Sequence, residues 1–195
     1  MDKPIHRVDI LAFPEVEELD LVGPYECFAA WHVHAQGPPC QIVASTRGPF
    51  RARHGLRMLP QALLSDERPP PRLLILPGGD GSRRAAQNPA VQTAVQRCVE
   101  AGGWVASVCT GVRILHAAGM LQGRRVTTHQ LAHAEVQGWP GVTLAAQRVV
   151  RDGPVWTAAG VSSGLDLSLK LIREMGDAEA ASTVRQYVEY PEQSA

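Results

Sequence analysis

The stretch Trp104-Val-Ala-Ser-Val-Cys-Thr-Gly111 decides the fold of this chain. Its first five residues are aromatic, β-branched or small, which predicts a buried strand, and the apolar spacing from Ile114 to Leu121 predicts a helix after it. Cys109 is therefore expected on a tight turn between strand and helix. There its sulfur would face the positive end of the helix, where the pKa of a thiol falls and a nucleophilic thiolate forms. The alternative is a buried structural thiol.

Length and charge bound the kind of protein that this chain can be. Its 195 residues suit one domain, 1–195, with a substantial core. The 19 Lys and Arg residues balance the 19 Asp and Glu residues, and the paired arginines Arg83-Arg84 and Arg124-Arg125 are isolated. Aromatic residues make up only 5% of the chain, so a base-stacking surface is not expected. We therefore predict no nucleic-acid partner.

The apolar segments and the cysteines suggest a compartment. The N-terminus has no secretory pattern, and no apolar run approaches the roughly 20 residues of a membrane span. The cysteines have no CxxC spacing, so neither a zinc site nor a disulfide framework is predicted. They are Cys27, Cys40, Cys98 and Cys109. We expect a cytoplasmic protein without a membrane partner, in which the cysteines other than Cys109 are ordinary core or boundary thiols.

Strand-like and helix-like segments alternate along the chain. Strands are predicted at 8–13, 40–44, 73–76, 104–108, 125–127, 142–144, 147–150 and 155–159, with a short strand or hairpin arm at 56–59. Helices are predicted from about 21–24, over 89–101, over 165–174 and over 178–188, with a helical turn at 63–64. Asp152-Gly153 is a hairpin signal. The alternation predicts an α/β fold with a largely parallel sheet covered by helices on both faces.

Three features are expected to meet at the carboxyl ends of the strands, where open α/β sheets bind ligands. The first is Cys109. The second is Gly78-Gly79-Asp80-Gly81, whose backbone N–H groups could form an oxyanion hole or could simply make a turn. The third is Asp20, which either caps the helix that begins nearby or lies beside the thiol as a proton-transfer group.

Two other sets of polar residues have open roles. Glu15, Glu17 and Glu18 are predicted to be solvated loop charges. His129 follows a short predicted strand and could serve as an acid/base or orienting partner of Cys109. The alternative for His129 is a structural role.

Motifs along nearly the whole chain resemble the ThiJ/PfpI superfamily, which has the class I glutamine amidotransferase-like fold, a flavodoxin-like sandwich. They are Leu19-Asp20-Leu-Val-Gly-Pro-Tyr-Glu26, Leu76-Pro-Gly-Gly79, Ser107-Val-Cys-Thr-Gly111, Ala118-Gly-Met-Leu-Gln-Gly-Arg-Arg-Val-Thr-Thr-His129, Arg151-Asp-Gly-Pro-Val-Trp-Thr-Ala-Ala-Gly160 and Gly164-Leu-Asp166. Among the branches of this superfamily the sequence is most similar to the isonitrile hydratases. It also resembles the sensor-like domains of AraC-type regulators.

The resemblance assigns roles to these residues. It implies that Cys109 is the nucleophile on a nucleophile elbow, Asp20 the acidic partner and Thr110 a substrate-positioning residue. Backbone groups of the glycine segments, at Gly78, Gly79 and Gly111, would bind substrate or an oxyanion. His129 matches a family histidine whose role varies. The resemblance further implies a small-molecule substrate, a homodimer, and no metal or organic cofactor.

Three functions are consistent with the resemblance. The first is an isonitrile hydratase, a lyase in which Cys109 attacks the isonitrile carbon and an N-substituted formamide is formed. The second is glyoxalase-type chemistry on small aldehydes, although that branch carries Glu where this chain has Asp20. The third is a non-enzymatic sensor or ligand-binding domain, in which Cys109 could be oxidised to a sulfinate. Arg113, where related sequences carry small or apolar residues, either points outward or favours an anionic substrate.

Overall fold

The computed structural model describes residues 5–65 and 67–191. Its strands are β1 (Ile5–Ala12), β2 (Cys40–Ala44), β3 (Phe50–Arg51), β4 (Arg57–Met58), β5 (Ala62–Leu63), β6 (Pro71–Leu76), β7 (Trp104–Val108), β8 (Arg125–Val126), β9 (Thr143–Leu144), β10 (Val149–Asp152) and β11 (Val155–Ala158). Its α-helices are α1 (Glu18–Ala35), α2 (Ser82–Ala86), α3 (Pro89–Glu100), α4 (Val112–Ala117), α5 (His133–Gln137), α6 (Ser163–Met175) and α7 (Ala178–Tyr187).

Seven strands form the central sheet in the order β10-β11-β7-β6-β1-β2-β5. All neighbours are parallel except β10 and β11, which form the hairpin predicted from Asp152-Gly153. The strands β1, β6 and β7 lie in the middle of the sheet. β6 and β7 are largely apolar and buried, and so is β1 from Val8 onward except for the buried Asp9, as expected for parallel strands covered on both faces. Their carboxyl ends therefore share one edge of the sheet.

Helices cover the sheet, as predicted. The helices α1, α6 and α7 pack against one another, and α1 also contacts β1 and β2. In a second group, α3 contacts β6 and β7, while α4 packs on α2 and α3. The long helix α1 is held by buried apolar side chains that include Leu21, Phe28 and Trp31. This α/β architecture confirms the predicted fold class.

Several local predictions were wrong at the edges of the fold. Leu63 lies in the edge strand β5 and not in a helical turn, because Ala62 and Leu63 pair with β2. The helix after the elbow turn ends at Ala117 and does not extend to Leu121. The helices α2 and α5 were not predicted, since five residues are too few to show helical periodicity. Within the described residues, no helix has the length and apolar character to cross a membrane.

Candidate active site

Cys109 lies on a strained turn directly after β7. Residues Cys109–Gly111 form a single 3₁₀ turn that leads into α4. The φ angle of Cys109 is 56°, in the left-handed region that non-glycine residues rarely adopt. Two hydrogen bonds hold this backbone: Cys109 N–H donates to Ala159 O at 2.9 Å, and the Thr128 hydroxyl donates to Cys109 O at 2.7 Å. The turn has the strand-to-helix geometry that the sequence predicts at Cys109.

Two glycines let neighbouring segments approach the elbow closely. A Cβ atom on Gly111 would lie 2.0 Å from Leu76 O, so only glycine allows the turn to pack on the end of β6. A Cβ atom on Gly78 would lie 2.6 Å from both the backbone nitrogen and Oγ1 of Thr110, and 2.9 Å from Asp20 Oδ2. The backbone at Gly78 is therefore pressed directly between the elbow and Asp20.

Asp20 is a fully buried carboxylate in the first turn of α1. Its Oδ2 accepts a hydrogen bond from Gly78 N–H at 2.9 Å, whereas Oδ1 makes no hydrogen bond of normal geometry with any described residue. The N-cap residue of α1 is Glu17, and no side chain caps this helix end. Of the two roles left open for Asp20, the cap is therefore wrong, and the carboxylate lies at the elbow.

The environment of Asp20 suits a proton-transfer group. Burial, the largest influence, raises its pKa from 3.8 to about 7. The charge of Glu17 also raises this pKa, while the hydrogen bond from Gly78 and the side chain of Cys109 lower it. A carboxyl group with a pKa near neutrality can both accept and return a proton at physiological pH.

The thiol of Cys109 is not acidified as the sequence had suggested. Burial, followed by the neighbouring Asp20 charge, raises its pKa to about 12. Hydrogen bonding from the backbone N–H and the hydroxyl of Thr110 opposes this increase. The following helix is only six residues long, so its dipole does not offset burial. A reactive thiolate at this site requires transfer of the thiol proton to a nearby base, and Asp20 is placed to accept it.

Thr110 connects the elbow to the glycine segment. Its Oγ1 accepts hydrogen bonds from Gly79 N–H at 3.0 Å and from the Ser82 hydroxyl at 3.3 Å. The N–H groups of Gly78 and Gly79 are thus already bonded, to Asp20 and Thr110 respectively. Their predicted use as oxyanion donors would require these bonds to be exchanged during binding. The N–H of Thr110, in contrast, already interacts with the Cys109 side chain.

The role of His129 was left open between a partner of Cys109 and a structural residue. Its Nδ1 accepts a hydrogen bond from Leu131 N–H at 3.2 Å, and its ring lies against Gly160. Among the hydrogen bonds of the described residues, none joins His129 to Cys109 or Asp20. The neighbouring Thr128, which bonds to the elbow carbonyl, is the residue of this segment that contacts the site.

Charged residues form a rim around Asp20. Glu17 is buried, against the prediction of a solvated charge, because Arg53 binds its carboxylate at 3.2 Å. Arg53 also pairs with the exposed Asp80 at 3.2 Å. Glu18, predicted as a loop charge, instead begins α1 and accepts from His54 Nδ1 at 2.9 Å. Glu17, Glu18 and His54 have ligand atoms within 4.8 Å of one another, but the surrounding ion pairs account for this grouping.

Ser82 was missed by sequence reasoning, and the role of Arg113 was left open there. Ser82 is fully buried and contacts Thr110, and Arg113 Nη1 donates to Ser82 Oγ at 3.1 Å. Arg113 is bound through Nε and Nη2 by the carboxylate of Glu135. Its charge therefore neither points outward nor stands open to a substrate. The only sequence signal was the unusual arginine itself.

Comparison with known proteins identifies relatives over most of the chain. A family model described as the DJ-1/PfpI family matches residues 6–174. A Pseudomonas putida protein named isonitrile hydratase is 32% identical over 186 residues, which cover 94% of this chain and 78% of that protein. A Caenorhabditis elegans protein named glutathione-independent glyoxalase is 25% identical over 72% of this chain and 75% of its own length. The crystal structure of a ThiJ/PfpI family protein from Pseudomonas syringae superimposes with a TM-score of 0.82 at 29% identity, covering 100% of this chain and 78% of that one.

Proposed function

The chain belongs to the DJ-1/PfpI family, and on that premise we propose that it is a cysteine enzyme that hydrates an isonitrile to an N-substituted formamide. The observation that carries the proposal is the pairing of Cys109 with Asp20, a buried carboxyl group whose pKa is about 7. Hydration of an isonitrile needs a nucleophile for the terminal carbon and a proton source for the same carbon. The similarity to the Pseudomonas putida relative supports this choice of substrate.

The first half of the reaction adds the thiol across the isonitrile carbon. The carboxylate of Asp20 accepts the proton of Cys109, and the sulfur attacks the terminal carbon of the isonitrile. The carbon becomes carbanion-like as the carbon–sulfur bond forms, and Asp20 returns the proton to it. The product is a thioimidate joined to Cys109, and Asp20 is again charged.

The second half consumes one water molecule. Water adds to the thioimidate, so that the carbon gains a hydroxyl group and the nitrogen gains a proton. The carbon–sulfur bond then breaks, the hydroxyl proton passes to the sulfur, and the formamide leaves. The sum is one isonitrile and one water converted to one formamide, with Cys109 restored. No oxidant, metal or organic cofactor enters this scheme.

The remaining site residues have supporting roles in the proposal. Thr110 would orient the sulfur and the incoming carbon through its N–H and hydroxyl, and Gly78, Gly79 and Gly111 would keep the backbone close enough for this geometry. His129 stays a candidate for ordering substrate or water. We also propose a cytoplasmic homodimer, by similarity to the family.

A turnover screen tests the proposal. Purified protein is incubated with alkyl and aryl isonitriles and, in parallel, with small α-oxoaldehydes, and products are identified by chromatography and mass spectrometry. We expect formamide formation, and we expect its loss in Cys109→Ala with an unchanged unfolding midpoint. Full activity of Cys109→Ala would overturn the role of the thiol.

The other outcomes distinguish the alternative functions. Formation of 2-hydroxy acids from the oxoaldehydes, without formamide, would replace the hydratase by the glyoxalase chemistry named for the Caenorhabditis elegans relative. No product from either substrate class, together with ready oxidation of Cys109 to a sulfinate, would favour a sensor. Either result would refute the hydratase proposal.

A further inference from the structure

A chain of hydrogen bonds runs from the surface of the protein to Thr110, the residue after the nucleophile, and three of its members, Glu135, Arg113 and Ser82, have no role in the proposed reaction. Glu135 binds Arg113, Arg113 Nη1 donates to Ser82 Oγ at 3.1 Å, and Ser82 Oγ donates to Thr110 Oγ1 at 3.3 Å. Thr110 in turn interacts with the side chain of Cys109. Ser82 is fully buried and the side chain of Arg113 is only 14% exposed, so bulk water does not compete freely for these bonds.

The chemistry of arginine favours one direction along this chain. A guanidinium group has donors and no acceptor, so Ser82 Oγ accepts from Arg113 and cannot direct its own proton there. The hydroxyl of Ser82 instead donates to Thr110 Oγ1 at 3.3 Å. Oγ1 of Thr110 also accepts from Gly79 N–H at 3.0 Å. With these two donors directed at its oxygen, the Thr110 hydroxyl is left with one proton to give. The carbonyl of Gly79 accepts this proton at a long 3.4 Å in the structure, and the sulfur of Cys109, which also interacts with the Thr110 side chain, is the competing acceptor.

We propose that Arg113 and Ser82 are positioning residues that orient the Thr110 hydroxyl as a donor to the sulfur of Cys109 and so stabilise its thiolate. Without Arg113, Ser82 could become an acceptor and draw the Thr110 proton away from the sulfur. Hydrogen bonds in such a chain polarise one another, so the cationic end of Arg113 also strengthens each later donor. The unusual arginine thereby acts on the nucleophile without contacting it.

Other charged groups also act on Cys109, so the test must separate them from Arg113. Asp20 and Glu17 raise the pKa of the thiol, and the charges of Cys109 and Arg53 influence each other. Asp20, Glu17 and Arg53 are not part of the hydrogen-bond chain that runs from Arg113 through Ser82 to Thr110. The inference rests on the proposed role of Cys109 as nucleophile but not on an isonitrile as substrate. A substrate-independent readout therefore distinguishes its failure from failure of the hydratase assignment.

The experiment measures alkylation of Cys109 by iodoacetamide as a function of pH, resolved by mass spectrometry of the Cys109 peptide. At pH values below the thiol pKa, the alkylation rate follows the fraction of Cys109 that is present as thiolate. A variant whose thiol pKa is higher by about one therefore reacts about tenfold more slowly. We expect Thr110→Val to lower the rate about tenfold, because a hydrogen bond to a charged group is lost. We expect Arg113→Met to lower it about threefold to fivefold, and Ser82→Ala less than twofold.

The relative sizes of these effects test the donor-to-acceptor direction of the hydrogen bonds in the chain. Arg113→Met leaves a competing acceptor at Ser82, so Ser82→Ala added to Arg113→Met should restore most of the rate. Arg113→Lys, which keeps a donor without an acceptor, should behave as wild type. The matched control is Arg83→Met, because Arg83 also binds Glu135, at 2.8 Å, but has no hydrogen bond to Ser82 among the described residues.

Several results would overturn the inference. If Arg113→Met and Arg83→Met show equal rates of Cys109 alkylation, Arg113 does not act on Cys109 through Ser82. A double variant of Arg113→Met and Ser82→Ala that is slower than either single variant would indicate a merely structural role. An equal effect of Arg113→Met in wild type and in Thr110→Val would show that Thr110 does not transmit it. Urea midpoints of all variants check folding, and the Arg113→Lys result keeps the test decisive where Arg113→Met fails to fold.

Discussion

A buried cysteine and a carboxylate that acts on it lie at each of two places beside the central sheet, and these two pairs have different surroundings. Cys98, on α3, contacts the amino-terminal ends of β6 and β7, where the charge of Asp9 acts on it. Cys109 lies at the carboxyl end of β7, beside Asp20. Burial raises the pKa of both thiols to about 12. Burial and a raised pKa therefore do not distinguish a structural thiol from a candidate nucleophile.

The hydrogen-bond partners make the distinction. The sulfur of Cys98 lies against two carbonyl oxygens, Pro71 O at 3.4 Å and Trp104 O at 3.3 Å, which stabilise the neutral thiol, while a backbone hydrogen bond from Leu74 lowers its pKa. The Cys109 side chain interacts with two donors, the N–H and hydroxyl of Thr110, and with the carboxyl group of Asp20. Carbonyl oxygens can only hold Cys98 as S–H, whereas Cys109 has two donors for a thiolate and a carboxylate that can take its proton.

The two carboxylates differ in the same way. Asp9 is bound by Arg7 at 2.6 and 2.8 Å and by the side-chain amide of Gln41 at 2.7 Å. Asp20 has a single backbone donor on Oδ2 and no normal hydrogen bond on Oδ1. The comparison teaches that the reactive end of this sheet is the end whose polar groups are left incompletely paired. Such a site gives up stability to keep its groups available for a reaction.

The largest effect on activity is expected when each of the two cysteines is replaced, in turn, by serine. We expect Cys109→Ser to lower formamide formation by at least about 10³-fold, because a buried hydroxyl is a far weaker nucleophile than a thiolate. We expect Cys98→Ser to stay within about twofold of wild type, since a hydroxyl can donate to the same two carbonyls. Steady-state kinetics of the two variants measure this. Equal losses would break the distinction between the two cysteines.

The carboxylates should show the next largest effect. Asp20→Asn should reduce kcat/KM by about 10²-fold or more, because the proton relay to the isonitrile carbon is lost. In the wild type, kcat/KM should rise with pH and level off above about 7, since Asp20 must be charged to accept the thiol proton. Asp9→Asn serves as the matched control and should keep this profile. A wild-type profile that falls as pH rises through 7 would contradict the assigned proton transfer.

The smallest effect concerns stability, and its sign is opposite at the two carboxylates. The pKa of Asp20 is about 7 in the folded protein, higher than its ordinary 3.8, so folding favours the protonated form. The stability of the wild type therefore decreases as the pH rises from 3.8 to about 7. Relative to wild type, Asp20→Asn should therefore gain about 3 kcal/mol between pH 5 and pH 8, as measured by urea unfolding. Asp9→Asn should lose about 3 kcal/mol by breaking a buried ion pair. A stability difference between Asp20→Asn and wild type that does not change with pH would refute the raised pKa.

The segments that form the candidate site could be predicted where they depend on local sequence pattern. The apolar run before Cys109 and the Pro-Gly-Gly turn after β6 located both segments, and the parallel topology brought them to the edge where Asp20 lies in the first turn of α1. The burial of Glu17 and the contacts of Ser82 were not predictable, because each depends on a side chain far away in the sequence. Arg53 binds Glu17 across the sheet edge, and Ser82 meets Thr110 only after β6 and β7 have paired.

The hydrogen bond from Cys109 N–H to Ala159 O has a consequence for biosynthesis. The strand β11, which ends just before Ala159, pairs with β7 and leaves the ribosome long after the elbow does. Until it arrives, β7 is an edge strand and the left-handed turn at Cys109 lacks this hydrogen bond. We therefore expect the nascent chain to carry a less constrained cysteine at this position until Ala159 has been synthesised. The protein would acquire its chemistry only when the last strand of the sheet closes over the growing fold.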